Sequence, residues 1–143
     1  MTEKRIHVLI LDDDPDDAML LEDHFEDLPP ELYSVDIAST WETASQKLRE
    51  QSFDILLCDY RLGAISGLQV IQTIRAEGIS LPVVLLTGVG TKELDERALD
   101  AGASDFLAKD ELSPALVDRT IRYAIAAHER QHLLQTVLDC SGA

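Results

Sequence analysis

Five short apolar runs recur at near-even spacing along the 143 residues: Ile6 to Leu11, Tyr33 to Ala38, Ile55 to Cys58, Pro82 to Leu86 and Phe106 to Ala108. Between them lie stretches with apolar residues three and four apart, such as Ala18, Leu21 and Phe25, or Leu68, Ile71 and Ile74. Short apolar runs bounded by polar turns read as strands, and a period near 3.6 reads as helix, so the chain reads as βα repeated five times. The runs Ile55-Leu-Leu-Cys58 and Leu81-Pro-Val-Val-Leu-Leu86 are continuously apolar, as strands covered on both faces must be. Parallel strands need crossover connections, and those crossovers are right-handed. The alternation therefore predicts an α/β fold: a doubly wound parallel sheet with helices on both faces.

Local chemistry sets the expected boundaries. Pro15 suits the first turn of a helix with Asp14 as its cap, and Pro29-Pro30 ends that helix. Thr40 can cap a helix from Trp41 to Glu50, and Ser113 with Pro114 behind it opens the last one. From Pro114 no breaker intervenes until about Leu138, a helix of roughly 25 residues or about 37 Å, longer than a small sheet can cover. Leu116, Val117, Ile121 and Ile125 suit its core face, whereas Leu134, Val137 and Leu138 have little sheet left to pack on. The readings for that far end are a frayed tail, a helical dimer seam, or a link to another domain. No Gly/Ser linker divides the chain, and residues 1–127 are expected to form one domain, with 128–143 as the extension of the last helix and a tail.

Composition excludes several roles. A formal charge of −15 argues against binding a phosphate backbone, which relies on clustered Lys and Arg. Cys58 and Cys140 make neither a disulfide framework nor a zinc-ligand spacing, so a reducing compartment is expected. No apolar stretch approaches the roughly 18 residues needed to cross a bilayer, and the expected location is the cytoplasm.

Residues 11 to 17 read Leu-Asp-Asp-Asp-Pro-Asp-Asp, five carboxylates in seven positions directly behind the first strand. Packed carboxylates repel one another unless they are solvated, paired with cations, or hold a metal. In an open parallel sheet, ligands bind beyond the carboxyl ends of the strands. Strand one ends in Asp12, Asp13 and Asp14, strand three in Asp59, strand four in Thr87 and strand five in Lys109. Carboxylates from two neighbouring strands make a hard oxygen site suited to Mg²⁺. A carboxylate beside such an ion can attack phosphorus, and Lys109 with the Thr87 hydroxyl can then hold phosphoryl oxygens. A solvated helix-start cluster is the better reading for Asp16 and Asp17. The spacing Asp12-x-Asp14-x-Asp16 suggests a calcium loop, but Asp17 stands where that loop needs glycine.

Taken in order, Leu9-Ile-Leu-Asp-Asp-Asp14, Leu56-Leu-Cys-Asp59, Gly67, Val84-Leu-Leu-Thr-Gly88 and Ala101-Gly-Ala-Ser-Asp-Phe-Leu-Ala-Lys109 resemble the motifs of a response-regulator receiver domain of the CheY-like superfamily. The resemblance runs from about Ile6 to Ala127. It implies a five-stranded flavodoxin-like (βα)5 sheet in the order 2-1-3-4-5, here with a long C-terminal helix. It further implies that Asp59 accepts a phosphoryl group from a histidine kinase or a histidine phosphotransfer protein. Asp12, Asp13, Asp59 and the main-chain carbonyl of Arg61 would hold Mg²⁺, and Thr87 and Lys109 would read the phosphoryl group. Phe106 would be the aromatic that rotates inward, switching the face of helix four, strand five and helix five for partner binding or dimerisation. Gly88 would leave the phosphoryl site accessible.

Three departures stand out. Phe106 lacks the phenolic hydroxyl that some members use as a handle. Gly63 replaces a usual proline, loosening the loop after Asp59. Asp110 replaces a usual cis-bonded proline after Lys109. The alternative reading is a Mg²⁺-dependent phosphatase of the haloacid-dehalogenase type, which also passes through an aspartyl phosphate; here Pro15 and Asp16 break its Asp-x-Asp-x-Thr motif. The expectation is a signalling phosphoacceptor, not an enzyme, with a possible homodimer or downstream domain through the last helix and no nucleic-acid or membrane partner.

Overall fold

The computed structural model describes residues 5–88 and 102–141. Its strands are β1 (Ile6–Leu11), β2 (Tyr33–Ala38), β3 (Ile55–Asp59), β4 (Val83–Thr87) and β5 (Asp105–Ala108), and its helices are α1 (Pro15–Glu26), α2 (Trp41–Glu50), α3 (Gly67–Ala76) and a C-terminal helix, Pro114–Ser141. The segment in which the fourth helix is expected, 89–101, lies outside the described residues. All five strands pair in parallel in the order β2-β1-β3-β4-β5, as the resemblance implied.

Alternation along the strands produces two cores. Leu9, Leu11, Leu56, Cys58, Val83 and Leu85 face Ala44 of α2 and Val70, Ile71 and Ile74 of α3. Their neighbours Val8, Ile10, Ile55, Leu57, Val84 and Leu86 face Leu21 and Phe25 of α1 and Val117, Ile121 and Ala124 of the C-terminal helix. A sheet with apolar side chains on both faces needs a helix layer on each, and the crossovers supply both. Every strand then points its carboxyl end at the same rim.

The helix starts follow their caps. Asp14 accepts from the Asp16 amide at 2.9 Å with Pro15 at the first position, and the Thr40 hydroxyl accepts from the Thr43 amide at 3.1 Å. Ser66 and Gln69 form a reciprocal capping box at the start of α3, and Ser113 accepts from the Leu116 amide at 3.1 Å. α1 ends at Glu26, before the Pro29-Pro30 pair, because the Asp27 and Leu28 amides close the last turn on Asp23 and Phe25 carbonyls. Pro29 then keeps Leu28 from continuing the helix.

Two of the expected irregularities resolve differently. The loop after Asp59 is not slack: Arg61–Leu62 and Ile65–Ser66 pair as a short antiparallel hairpin, with Gly63 at its tip at φ 73°. Lys109 begins a 3₁₀ turn through Glu111, and among the described residues no peptide bond is cis.

Val117 and Ile121 of the C-terminal helix are fully buried, whereas Leu133 and Leu134 are exposed. The side chains of Val137 and Leu138 lie outside the described residues. At 28 residues the helix is about 42 Å long, so its last turns outrun the sheet. Its docked half is tied down by a polar contact: the Tyr33 hydroxyl and the Arg122 guanidinium both donate to the Asp118 carboxylate. Partial burial disfavours that carboxylate, but the two donors outweigh it and hold its pKa below the ordinary value. A depressed folded-state pKa contributes stability above the unfolded pKa and loses it as pH falls. Tyr33→Phe is therefore expected to cost about 1 kcal/mol at pH 7, with the difference from wild type shrinking below about pH 4, as read by urea denaturation at both pH values.

Candidate functional site at the carboxyl rim of the sheet

The parallel register brings four strand ends to one place. β1 hands over to Asp12, β3 ends in Asp59 beside it, β4 ends in Thr87, and β5 runs into Lys109. Asp12, Asp59 and Thr87 are buried, and Asp13 is exposed. Asp12, Asp13 and Asp59 each offer an oxygen, all within 4.8 Å of one another. The Asp14 amide donates to Asp12 Oδ1 at 2.9 Å, which fixes the rotamer of that carboxylate.

Lys109 is the cation among these acids. Its Nζ lies 3.1 Å from Asp12 Oδ2, 3.2 Å from Asp59 Oδ2 and 2.7 Å from Asp17 Oδ2. Burial disfavours the ammonium, but the hydrogen bonds to Asp17 and Asp12 and the nearby carboxylate charges outweigh it and push its pKa up. Burial and the Asp12 charge push the Asp59 pKa up to about 6, against the opposing pull of Lys109 and the Arg61 amide. Asp59 is thus a carboxylate held in an unfavourable, partly dehydrated place, a common property of residues that do chemistry.

A cavity of about 510 Å³ opens beside this group, with Asp13, Asp59, Arg61, Gly88 and Lys109 among its walls. Gly88 is exposed, and among the described residues a Cβ built there meets nothing within 4 Å. The Thr87 hydroxyl donates weakly to the Leu107 carbonyl at 3.4 Å. Phe106 is half-buried against the core on the α2 and α3 side.

Three carboxylates paired with one ammonium, with Asp13 beside Asp12 and Asp59, leave the rim strongly negative, and its donors are all hard oxygens. That donor set fits Mg²⁺, which prefers carboxylates and water. The sequence reading of Asp17 as a solvated helix-start residue is right about its place in the first turn of α1 but misses its ion pair with Lys109, the shortest of the site. A signal was available: side chains in a helix lean back toward its N-terminus, so the third residue of α1 reaches the rim behind it.

Comparison with known proteins agrees with this geometry. A family model described as the response regulator receiver domain matches residues 8–121. The chain is 32% identical over 109 residues to the transcriptional regulatory protein ZraR of Escherichia coli (strain K12), covering 76% of this chain and 24% of that protein. It is 33% identical over 116 residues to the response regulator RppA of Synechocystis, covering 80% and 48%. The chain thus spans from about a quarter to about a half of the length of these curated relatives. Among solved structures, a putative response regulator from Chloroflexus aurantiacus superimposes with a TM-score of 0.76 at 30% identity, over 86% of this chain and 99% of that one. Full-length FixJ from B. japonicum shares the fold, with a TM-score of 0.79 at 22% identity, over 94% and 64%. None of these findings supports the phosphatase alternative.

Proposed function

Because the chain belongs to the response regulator receiver domain family, we propose that it is the phosphoacceptor module of a two-component phosphorelay, with Asp59 as the acceptor. The observation that carries this reading is the position of Asp59: a buried carboxylate at a strand end, 3.2 Å from Lys109 and in one ligand group with Asp12 and Asp13. An Asp59 oxygen attacks the phosphorus of a phosphohistidine on a histidine kinase or phosphotransfer protein. The P–N bond breaks as the new P–O bond forms, and the imidazole leaves with its electron pair. Asp12, Asp13, Asp59 and the Arg61 carbonyl would hold Mg²⁺, which when bound neutralises charge on the carboxylates and the phosphoryl oxygens. Lys109 gives an N–H to a phosphoryl oxygen, and Thr87 turns its hydroxyl from Leu107 toward the phosphoryl group.

The weak Thr87 bond costs little to exchange, which suits a residue that reads the modification. Phe106, half-buried in the adjacent β5 and in register with Leu85, is the group whose rotation would carry that change to the outer face. Residues 1–127 act as the receiver, and 128–143 lead toward a second copy or a downstream domain. The compartment is the cytoplasm, which suits the free Cys58 thiol, and the charge of −15 turns this part of the chain away from nucleic acid.

The test is intact mass after incubation with acetyl phosphate and Mg²⁺. One phosphoryl adduct is expected, absent when the metal is chelated. An unmodified mass together with no binding of a beryllofluoride mimic would overturn the reading.

A further inference from the structure

Asp17 has no part in the reaction just proposed, yet it holds Lys109 more closely than either partner that does. The separations are 2.7 Å to Asp17, 3.1 Å to Asp12 and 3.2 Å to Asp59. An ammonium has three N–H donors, and these three carboxylates are enough to occupy them. How the ammonium divides itself matters, because Asp12 and Asp59 are also members of the oxygen group suited to a divalent cation, and Asp17 is not. Ammonium and metal compete for the same lone pairs. A lysine that collapsed fully onto Asp12 and Asp59 would satisfy the buried charges and close the site to metal.

The backbone makes this placement repeatable. Asp14 caps α1 and Pro15 fixes its first turn, so Asp17 sits at a set height above the rim. Asp17 is partly shielded, whereas Asp16, one residue earlier, is exposed. We infer that Asp17 is a positioning residue that anchors the Lys109 ammonium at the edge of the acidic pocket, leaving Asp12 and Asp59 free to ligate Mg²⁺. The N–H that now meets Asp59 then faces the place where a phosphoryl oxygen on that carboxylate would sit. The part concerning the phosphoryl group rests on the proposed acceptor role of Asp59; the part concerning the metal stands on the ion-pair geometry alone.

The test uses the full chain in five forms: wild type, Asp17→Asn, Asp16→Asn, Lys109→Met and the Lys109→Met/Asp17→Asn double variant. Mg²⁺ affinity is read by titration calorimetry, and phosphoryl uptake from acetyl phosphate is read by intact mass over a range of Mg²⁺ concentrations. Asp17→Asn is expected to weaken Mg²⁺ binding about tenfold, the scale of losing a group that orients metal ligands. The Mg²⁺ concentration for half-maximal uptake should rise by a similar factor. Asp16→Asn removes the same charge from a solvated position and should change affinity by less than about twofold. In the Lys109→Met background the effect of Asp17→Asn should fall to that of Asp16→Asn, because the coupling runs through the ammonium.

Unchanged Mg²⁺ affinity in Asp17→Asn, an equal loss in both backgrounds, or no Mg²⁺ binding by the wild type would each overturn the inference. A wild type that binds Mg²⁺ but gains no phosphoryl group would count against the acceptor reading instead, and calorimetry would still decide the role of Asp17.

Discussion

Asp59→Asn is expected to abolish phosphoryl uptake and, without divalent cation, to raise the melting temperature. The loss follows from chemistry, since a carboxamide is no nucleophile toward phosphorus and the neighbouring Asp12 is fixed by the Asp14 amide and Lys109. The gain follows from electrostatics. Burial and the Asp12 charge raise the Asp59 pKa from 3.8 to about 6. An acid with a raised folded-state pKa costs stability once it ionises: the cost is absent below the unfolded value, grows between about pH 4 and 6, and is complete above. The full shift, in which the pull of Lys109 is already counted, corresponds to about 3 kcal/mol, and burying a carboxamide in its place offsets part of it, leaving about 1–2 kcal/mol at pH 7. That is about 3–8 °C in melting temperature for a chain of this size, vanishing near pH 4. Mg²⁺ should reverse the order, because binding stabilises the wild type by mass action and the variant has lost a ligand. Calorimetric melting at pH 4 and pH 7, with and without Mg²⁺, checks every part. A variant less stable than wild type in chelator at pH 7 would show that the Lys109 contact outweighs the repulsion.

The layered sheet was legible in the sequence because burial on two faces imposes its own pattern. Runs such as Ile55 to Cys58 have no polar face to spare, so strand identity and parallel pairing followed from composition and spacing alone. The rim residues Asp12, Asp59, Thr87 and Lys109 were legible for a related reason: each is a polar group just where an apolar run stops. What the sequence concealed depends on which helices become neighbours. Asp17 looked solvated because its partner is 92 residues away. The Asp118 carboxylate likewise gave no hint of Tyr33, nor Arg75 of the carbonyls it clamps, Leu81 at 2.7 Å and Gly102 at 2.9 Å. The hairpin at Gly63 escaped as well, since a glycine marks a permissive backbone without saying what pairs around it.

Gly67 joins fold and site in one atom's worth of space. A Cβ built there would lie 2.6 Å from Leu85 Cδ2, 2.8 Å from the Asp59 carbonyl oxygen and 3.2 Å from Tyr60 Cα. Leu85 is fully buried with little room to turn, and the other two atoms are backbone. The Gly67 amide also donates to the Tyr60 carbonyl at 2.7 Å, so the start of α3 is pinned directly behind the end of β3. Two effects oppose each other in Gly67→Ala. Alanine is the better helix former, by up to about 1 kcal/mol in a helix interior and less at a first position. Overpacking costs about 1–3 kcal/mol, and here the only relief is to move the chain on either side of Asp59. Packing should win, with a net loss of about 2 kcal/mol and a larger loss for Gly67→Val. Phosphoryl uptake should fall with stability, because the backbone that gives way carries Asp59, the proposed acceptor. Gly78→Ala separates the two effects: it sits in open space at φ 74°, so it should cost about 1 kcal/mol through backbone strain alone and leave uptake unchanged. Thermal melts and uptake rates of the three variants check this, and a Gly67→Ala protein as stable and as fast as wild type would show that α3 can shift away from β3 without moving Asp59.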